Sequence, residues 1–366
     1  MAYPQSNWTP LDRHDPRVRL AGHACLPRRT PLSRCTACAE ACPVGALTVV
    51  AGSGPELTGD CTGCGACATA CPSEALTVEG FPDADDMQTD DGRIDAVECH
   101  RVPDRVARAN ALRVPCLAGL DDIDLMALAR RGGEVPVELM DRGWCGTCPA
   151  RGDRDTAPPE GARRRAHHHL AGSRVPVPVV TDAPLPEEVA HPVAMGASLR
   201  RGNSRRQLLR MFDPETHSTG AREPVPAATA DPRQRLDTPR RRALLAEHDR
   251  AGATSAPPWP AVEISDSCCN TGICAALCPT AALTTTDNRD GLMFDPSVCI
   301  ACGLCAAVCP HEAITLSTEG GAAGQLTSHR QATCRDCGQR FSPTSDDATY
   351  CETCEKSRGL GRAAFM

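Results

Sequence analysis

Aromatic residues are scarce in this sequence. Phe, Tyr and Trp together make up 3% of its 366 residues, whereas glycine and proline number 30 and 32. Because a single large core depends on bulky side chains, this composition argues against one. It predicts several small modules that something other than hydrophobic burial holds together.

Long apolar runs are also missing. Residues 1–20 contain no apolar stretch of the length that a signal peptide needs, and no run elsewhere is long enough to span a membrane. We therefore expect a cytoplasmic protein, in whose reducing surroundings the 24 cysteines would bind metal rather than form disulfides. The net charge of −7 argues against nucleic acid as a partner.

Motifs of substrate chemistry are absent as well. The sequence contains no phosphate-binding loop, no dinucleotide fingerprint and no Ser/His/Asp grouping. A non-catalytic role is therefore favoured over an enzyme with its own substrate pocket.

The cysteines carry the chemical signal instead. Grouped by position they form six quartets with none left over, as four-coordinate metal sites require. The quartets are Cys25, Cys35, Cys38 and Cys42; Cys61, Cys64, Cys67 and Cys71; Cys99, Cys116, Cys145 and Cys148; Cys268, Cys269, Cys274 and Cys278; Cys299, Cys302, Cys305 and Cys309; and Cys334, Cys337, Cys351 and Cys354.

The second quartet lies in CTGCGACATACP, which has the regular C-x2-C-x2-C-x3-C-P spacing of an iron–sulfur cube. In two-cluster ferredoxins the last cysteine binds the other cluster, so Cys42 and Cys71 are expected to exchange sites. The first quartet has Leu32 where a cysteine belongs. A longer loop can return Cys25 to that cluster, and His23 is the alternative ligand.

A repeated phrase follows each of the four Cys-Pro pairs: VGALTVV, SEALTV, TAALTTT and HEAITL. It predicts a short turn or helix that leads into a strand, and it marks two copies of one module. Residues 25–80 and 264–317 resemble bacterial-type 2[4Fe-4S] ferredoxins. The resemblance implies four [4Fe-4S] clusters in total.

One half of the second module is irregular. In ISDSCCNTGICAALCP, Thr271 replaces the middle cysteine and Cys269 stands beside Cys268. Three hypotheses remain open: a full cube ligated by Cys268 and Cys269, a cube with three thiolates and an oxygen ligand, or a [3Fe-4S] cluster. The first is preferred.

The middle quartet has a different setting. Three apolar runs, IDAVEC, ALRVPC and VPVELM, predict strands, and LDDIDLMALARRG predicts a helix. VPDRVARAN is a further polar stretch with helical character. This alternation predicts a small parallel α/β unit with Cys99, Cys116, Cys145 and Cys148 at the carboxyl ends of its strands.

The segments RVPC (113–116) and CGTC (145–148) are similar to those of the delta subunit of methyl-viologen-reducing hydrogenases. This resemblance implies a [2Fe-2S] cluster with Cys99 as its first ligand. Zinc, a [4Fe-4S] cluster and unligated thiols are the alternatives, because Trp144 and Pro149 depart from the family pattern.

Residues 152–262 lack cysteine and are rich in proline and arginine, which predicts a linker with short helices. His167, His168 and His169 are interpreted as part of a solvated basic face. SRRQLLR (204–210) and Pro257-Pro258-Trp259 resemble segments of the ferredoxin that accompanies periplasmic nitrate reductase, which implies a partner-binding role.

The tail, C-x2-C-x13-C-x2-C, predicts a zinc ribbon, with iron as the alternative metal.

The predicted fold is therefore an α+β assembly of modules. It comprises two ferredoxin-like modules (1–90 and 263–320), an α/β iron–sulfur unit (91–151), a linker (152–262) and a zinc ribbon (321–366). We expect an electron-transfer subunit whose partner is a molybdopterin oxidoreductase, a hydrogenase or a heterodisulfide-reductase-like complex. The alternatives are a metalloenzyme assembly factor, a redox-responsive binding protein, or an active site near Thr271.

Overall fold

The computed structural model describes residues 8–12, 17–82, 94–152, 159–193, 235–238, 259–317, 320–343 and 347–363, and parts of 244–252. The chain divides into two compact units. The first comprises Met1–Asp231 with Thr238–Pro257, and the second comprises Pro232–Asp237 with Pro258–Met366. Both mix short helices with short strands. The five-part division by residue number stays a prediction.

The first unit begins with two small antiparallel sheets. One has the order β1-β2-β5, and the other is the hairpin β3-β4. The strands are β1 (Trp8–Pro10), β2 (Val18–Ala21), β3 (Leu47–Val50), β4 (Gly54–Leu57) and β5 (Leu76–Val78). The helices are α1 (Leu26–Arg29), α2 (Ala37–Glu40) and α3 (Ala66–Thr69). The strands β3 and β5 begin where the repeated phrase after Cys-Pro predicts them.

A four-stranded parallel sheet forms the rest of the first unit, in the order β7-β6-β8-β9. Its strands are β6 (Ala96–Cys99), β7 (Ala111–Val114), β8 (Glu138–Asp141) and β9 (Val179–Asp182). The helix α4 (Asp122–Gly132) packs against α5 (Glu160–His169). Leu125, Met126 and Leu128 of α4 are fully buried with Leu139 of β8. The predicted strands β6, β7 and β8 and the predicted helix α4 are confirmed.

Three features of this α/β unit differ from the sequence expectations. VPDRVARAN contains only a single 3-10 turn, Asp104–Val106, because Ala107 is extended and the Arg108 N–H donates to the Glu98 carboxylate (3.2 Å) instead of continuing a helix. The segment interpreted as linker contributes α5 and the edge strand β9. The interpretation of His169 as solvated is wrong, because its side chain is buried against Asp122 (Nε2 to Oδ2, 3.5 Å).

The second unit repeats the topology of the first module. The strands β10 (Ala261–Ile264) and β13 (Ile314–Ser317) pair as β2 and β5 do, and β11 (Leu283–Thr285) pairs with β12 (Gly291–Phe294) as β3 does with β4. The helices α6 (Ile273–Leu277) and α7 (Leu304–Ala307) correspond to α2 and α3. The additional strand β14 (Gly324–Ser328) extends the second hairpin into a sheet.

The tail of the chain forms the hairpin of β15 (Ala332–Thr333) and β16 (Arg340–Phe341), followed by α8 (Glu352–Ala363). Across the described ranges, none of the helices is both long and apolar enough to cross a membrane.

Asp121 begins α4 as the N-cap of a capping box: its Oδ1 accepts the N–H of Asp124 (2.9 Å), and the Asp124 carboxylate accepts the N–H of Asp121 (3.0 Å). We expect Asp121→Ala to destabilise the helix by about 1 kcal/mol, the usual contribution of such a cap. Amide hydrogen exchange in the first turns of α4 should then be about fivefold faster. Asp121→Ser, which keeps a capping oxygen, is the control; equal exchange in both variants would contradict the assignment.

Candidate metal centres

The first site lies between α1, α2 and the turn before β5. Burial, together with the charges of the neighbouring Cys71 and Cys38, raises the pKa of Cys25 to about 12. Burial likewise raises the pKa of Cys35, on which Cys71 also acts. The structure therefore brings together the four cysteines that the sequence assigns to one cluster, including Cys25 from its distant loop.

The second site takes the other four cysteines of this module. Cys42, Cys61, Cys64 and Cys67 line one cavity, and burial, followed by the charges of Cys64 and Cys61, raises the pKa of Cys67. Cys42 and Cys71 have thus exchanged sites in the way that two-cluster ferredoxins require. Ligation at both sites stays a prediction, because the grouping alone places thiols and no metal.

A common turn shapes the backbone after each Cys-Pro pair. The third residue after the cysteine has a left-handed φ in all four copies: 60° at Gly45, 53° at Glu74, 60° at Ala281 and 49° at Glu312. In three copies this turn directs the next backbone N–H at the cysteine sulfur. The bonds run from Ala46 to Cys42 (3.2 Å), from Ala75 to Cys71 (3.2 Å) and from Ala313 to Cys309 (3.3 Å). Such N–H donors stabilise a charged thiolate.

The regular site of the second module has the same construction. Cys278, Cys299, Cys302 and Cys305 line one cavity. Burial raises the pKa of Cys302 to about 11 and that of Cys305 to about 12, with Cys278 and Cys299 acting on both.

The irregular site centres on Cys268, Cys274 and Cys309. Burial raises the pKa of Cys274 to about 11, and the charges of Cys268 and Cys309 act in the same direction. Cys269 and Thr271 line the same cavity. The sulfur of Cys268 is therefore placed beside those of Cys274 and Cys309, while the hypothesis that Cys269 also binds stays a prediction.

The middle quartet lies at the carboxyl end of the parallel sheet. Cys99 ends β6, Cys116 follows β7, and Cys145 and Cys148 follow β8. All four line one cavity, together with Trp144. Burial raises the pKa of Cys116 well above its usual value, and the charges of Cys64, Cys99 and Cys148 add to this effect.

A buried ion network, which sequence reasoning missed, holds this quartet in place. The Glu98 side chain has no exposed surface, and its carboxylate accepts hydrogen bonds from Arg142 (Nε, 2.9 Å) and Arg113 (Nη1, 3.2 Å). Glu98 directly precedes Cys99, while Arg113 and Arg142 each lie three residues before Cys116 and Cys145. The three strands that carry the cysteines are thus cross-linked just below the site. The charged residue Glu98 inside the run IDAVEC (94–99) could have indicated this network from the sequence.

The middle quartet directly adjoins the second site of the first module. Cys64, Cys116 and Cys148 pack in one group with Ala118 and Ala150. Gly119 makes this approach possible, because a Cβ there would lie 2.8 Å from the Cys64 carbonyl oxygen and 2.1 Å from the ring of Phe81. The backbone of the two sites is in contact only because this residue has no side chain.

The tail quartet has the tightest sulfur geometry. The sulfurs of Cys334, Cys337, Cys351 and Cys354 all lie within 4.8 Å of one another, and those of Cys337 and Cys351 are 3.8 Å apart. Sulfurs at the corners of a tetrahedron, each about 2.3 Å from a single ion, are about 3.8 Å apart. N–H groups of Cys337 and Cys351 lower the pKa of Cys334 to about 6. This quartet could therefore hold one metal ion.

SRRQLLR (204–210) and Pro257-Pro258 lie outside the described residues. His23, the alternative ligand of the first cluster, has its pKa lowered by burial and by Arg29.

Comparison with known families supports the ferredoxin-type modules. A 4Fe-4S dicluster domain matches residues 33–75, and a 4Fe-4S binding domain matches residues 292–315. No curated protein and no solved structure matches the chain significantly. The two domains indicate an iron–sulfur electron-transfer protein that binds [4Fe-4S] clusters.

The ion network predicts a specific sensitivity. Glu98→Gln leaves Arg113 and Arg142, whose side chains are 24% and 12% exposed, without their carboxylate. Because breaking a buried pair strands a charge, we expect the parallel sheet to lose about 3 kcal/mol of stability. Hydrogen exchange in β6 and β7 should accelerate, and metal should be lost from the middle quartet.

Glu138→Gln is the matched control, because Glu138 pairs with Arg108 on the same sheet at a site where both side chains are at least 30% exposed. Exposed pairs contribute about 0–1 kcal/mol. Similar losses in the two variants would show that the buried network does not position the cysteines.

Proposed function

We propose that this protein is a polyferredoxin: an electron-transfer subunit that relays single electrons to or from a partner oxidoreductase. Four [4Fe-4S] clusters in the two ferredoxin modules, one of them altered near Thr271, and a [2Fe-2S] cluster at Cys99, Cys116, Cys145 and Cys148 would form the relay. The tail quartet would hold zinc.

One observation carries this proposal: the packing of Cys64 against Cys116 and Cys148. An isolated storage site or structural site needs no such neighbour, whereas a relay needs its centres close together. Gly119 keeps the two backbones in contact, and Phe81 fills the space beside it. The first unit therefore offers a continuous route through two adjacent cysteine sites.

The residues present fit the groups proposed for them. Thiolate sulfur is the ligand type that iron–sulfur clusters select, and each proposed cluster site supplies at least three cysteines. Bound there, the clusters would supply reversible one-electron chemistry. The protein's part is to bury the sulfurs, donate N–H groups to them, and keep neighbouring sites in contact.

Zinc is proposed for the tail because of its geometry. The 3.8 Å separation of the Cys337 and Cys351 sulfurs matches one tetrahedral ion. Of the groups in the described part of the chain, only this quartet brings its sulfurs within 4.8 Å of one another. The ribbon would then order the hairpin β15–β16 and the start of α8.

The partner class rests on the sequence resemblances. The middle segment resembles a hydrogenase subunit, and the segments at 204–210 and 257–259 resemble the ferredoxin of a molybdopterin enzyme. A molybdopterin oxidoreductase, a hydrogenase or a heterodisulfide-reductase-like complex is therefore proposed as the partner.

Metal content tests the proposed cofactors. Anaerobically purified protein should contain about 18 Fe and 18 acid-labile sulfide per chain, from four cubes and one binuclear cluster, with one Zn. Cys334→Ser should lose the zinc and keep the iron. A chain that contains zinc in place of iron after anaerobic reconstitution would contradict the relay.

Gly119→Ala tests the route itself. The added Cβ must push the Cys64 backbone away from the turn at Gly119, whereas every cysteine remains. We expect unchanged iron content and a clear weakening of the magnetic interaction between reduced centres, measured by EPR.

Gly161→Ala is the control, because its Cβ would meet only Arg165 at 3.9 Å, an ordinary contact. If neither the wild type nor either variant shows interacting centres in the fully reduced state, the proposed route is wrong even where the iron is present.

A further inference from the structure

A further cavity lies in the second unit, beside the irregular cysteine site. Its volume is about 510 Å³, within the range of small-molecule sites. The loop before α6, the strand β11 and the hairpin β15–β16 form its walls. No cysteine lines it, so it is distinct from the cavities already described.

The charge of this cavity is of one sign. Arg235, Arg289 and Arg340 line it, and none of its lining side chains is acidic. Arg289 and Arg340 are exposed, and neither forms an ion pair with the acids of the described residues. Asp290 is adjacent to Arg289 in sequence, but its carboxylate accepts a hydrogen bond from the Thr286 hydroxyl (2.5 Å) and does not line the cavity.

The third arginine is fixed in position. The Arg235 guanidinium donates to the carbonyl oxygens of Ala275 (3.3 Å), Ala276 (3.4 Å) and Cys278 at the end of α6. It thus brings a positive charge to the helix end and to the cavity wall at once. The cavity therefore combines one anchored arginine with two that can turn toward a ligand.

A hydrogen-bond network holds the two sides of the cavity together. The Asn270 side-chain amide donates to the Ser342 hydroxyl (2.8 Å) and to the Arg289 carbonyl (3.0 Å). The Gln331 amide donates to the same two acceptors, at 2.7 and 3.2 Å. The tail hairpin is thereby fixed against the loop before α6, which keeps Arg289 and Arg340 on one rim.

From these observations we propose that the cavity binds a small molecule carrying at least two negative charges, as phosphate or carboxylate groups. Guanidinium groups recognise such oxygens by paired hydrogen bonds. Phe341 adds an aromatic face to the wall, against which a planar part of the ligand can pack.

Because the cavity adjoins the irregular cysteine site, we expect anion binding to affect reduction of the cluster there. This step rests on the proposed function. Asn270, Thr271 and Gly272 line both the arginine cavity and the cavity of Cys268, Cys274 and Cys309. A bound anion would disfavour the added negative charge of a reduced cluster across this loop. By linkage, reduction weakens anion binding by the same factor.

Calorimetry on the anaerobic holoprotein tests the site, with inorganic pyrophosphate as the first probe and ADP and citrate as the others. We expect pyrophosphate to bind and the double variant Arg289→Gln/Arg340→Gln to bind at least tenfold more weakly. Arg335→Gln, which removes an exposed arginine of the same hairpin that does not line the cavity, should bind as the wild type does.

The probes also distinguish the ligand. Tighter binding of ADP than of pyrophosphate would indicate that a ring of the ligand packs against Phe341. Binding of citrate alone would indicate that the site recognises carboxylates. Absence of binding by all three, or equal affinity in wild type and double variant, would overturn the proposal. Protection of Arg289 and Arg340 of the wild type from phenylglyoxal by the bound probe, read by mass spectrometry, is independent of variant folding.

Two readouts separate this inference from the proposed function. A fall in the midpoint potential of one cluster on adding the probe would support both. Binding by a protein that holds no iron would contradict the electron relay and leave the anion site standing. Full iron content without binding of the probe would contradict the anion site and leave the electron relay standing.

Discussion

Charge on buried sulfur is the constraint on which the modules of this protein depend. Burial raises the pKa of Cys25 and Cys305 to about 12, so at neutral pH these thiols bind metal only as the ion displaces the proton. The ion then supplies the positive charge that burial demands. Metal bound at these sites would thereby stabilise cores that are this poor in aromatic side chains. In the tail, backbone N–H groups lower the pKa of Cys334 to about 6, whereas hydrogen bonds with Cys351 and Cys337 raise that of Cys354 to about 12.

The same constraint explains the repeated turn after each Cys-Pro pair. In three copies a left-handed residue directs the following N–H at the sulfur, and it does so even where that residue is Glu74 or Glu312 instead of glycine. A non-glycine residue in this region is strained, so the three non-glycine residues at this motif position, Glu74, Ala281 and Glu312, indicate that the turn is required by its surroundings. The phrase that follows it then begins a strand in every copy.

Much of the fold could be predicted because its determinants are local. Cysteine spacing predicted that Cys42 and Cys71 exchange sites, and apolar periodicity predicted α4 and three strands of the parallel sheet. The edge strand β9 could not be found, because its short apolar run is indistinguishable from linker composition and is selected by pairing with β8. The contact at Gly119 and the salt bridges of Glu98 depend on residues far apart in sequence, which spacing cannot reveal.

In the irregular half of the second module, the backbone of the cysteine loop is kept although one of its cysteines is replaced. Gly272 begins α6 with φ 73°, as Gly65 and Gly303 begin α3 and α7 with φ 83° and 69°, so the loop keeps its path although Thr271 replaces the cysteine. The replacement therefore changes chemistry without changing the backbone. Because Thr271 lines the sulfur cavity and the arginine cavity alike, the position that elsewhere serves one cluster here borders two sites. Thr271 thus occupies the position that holds a cysteine in the regular motifs, Cys64 and Cys302, and it is shared by the walls of two cavities.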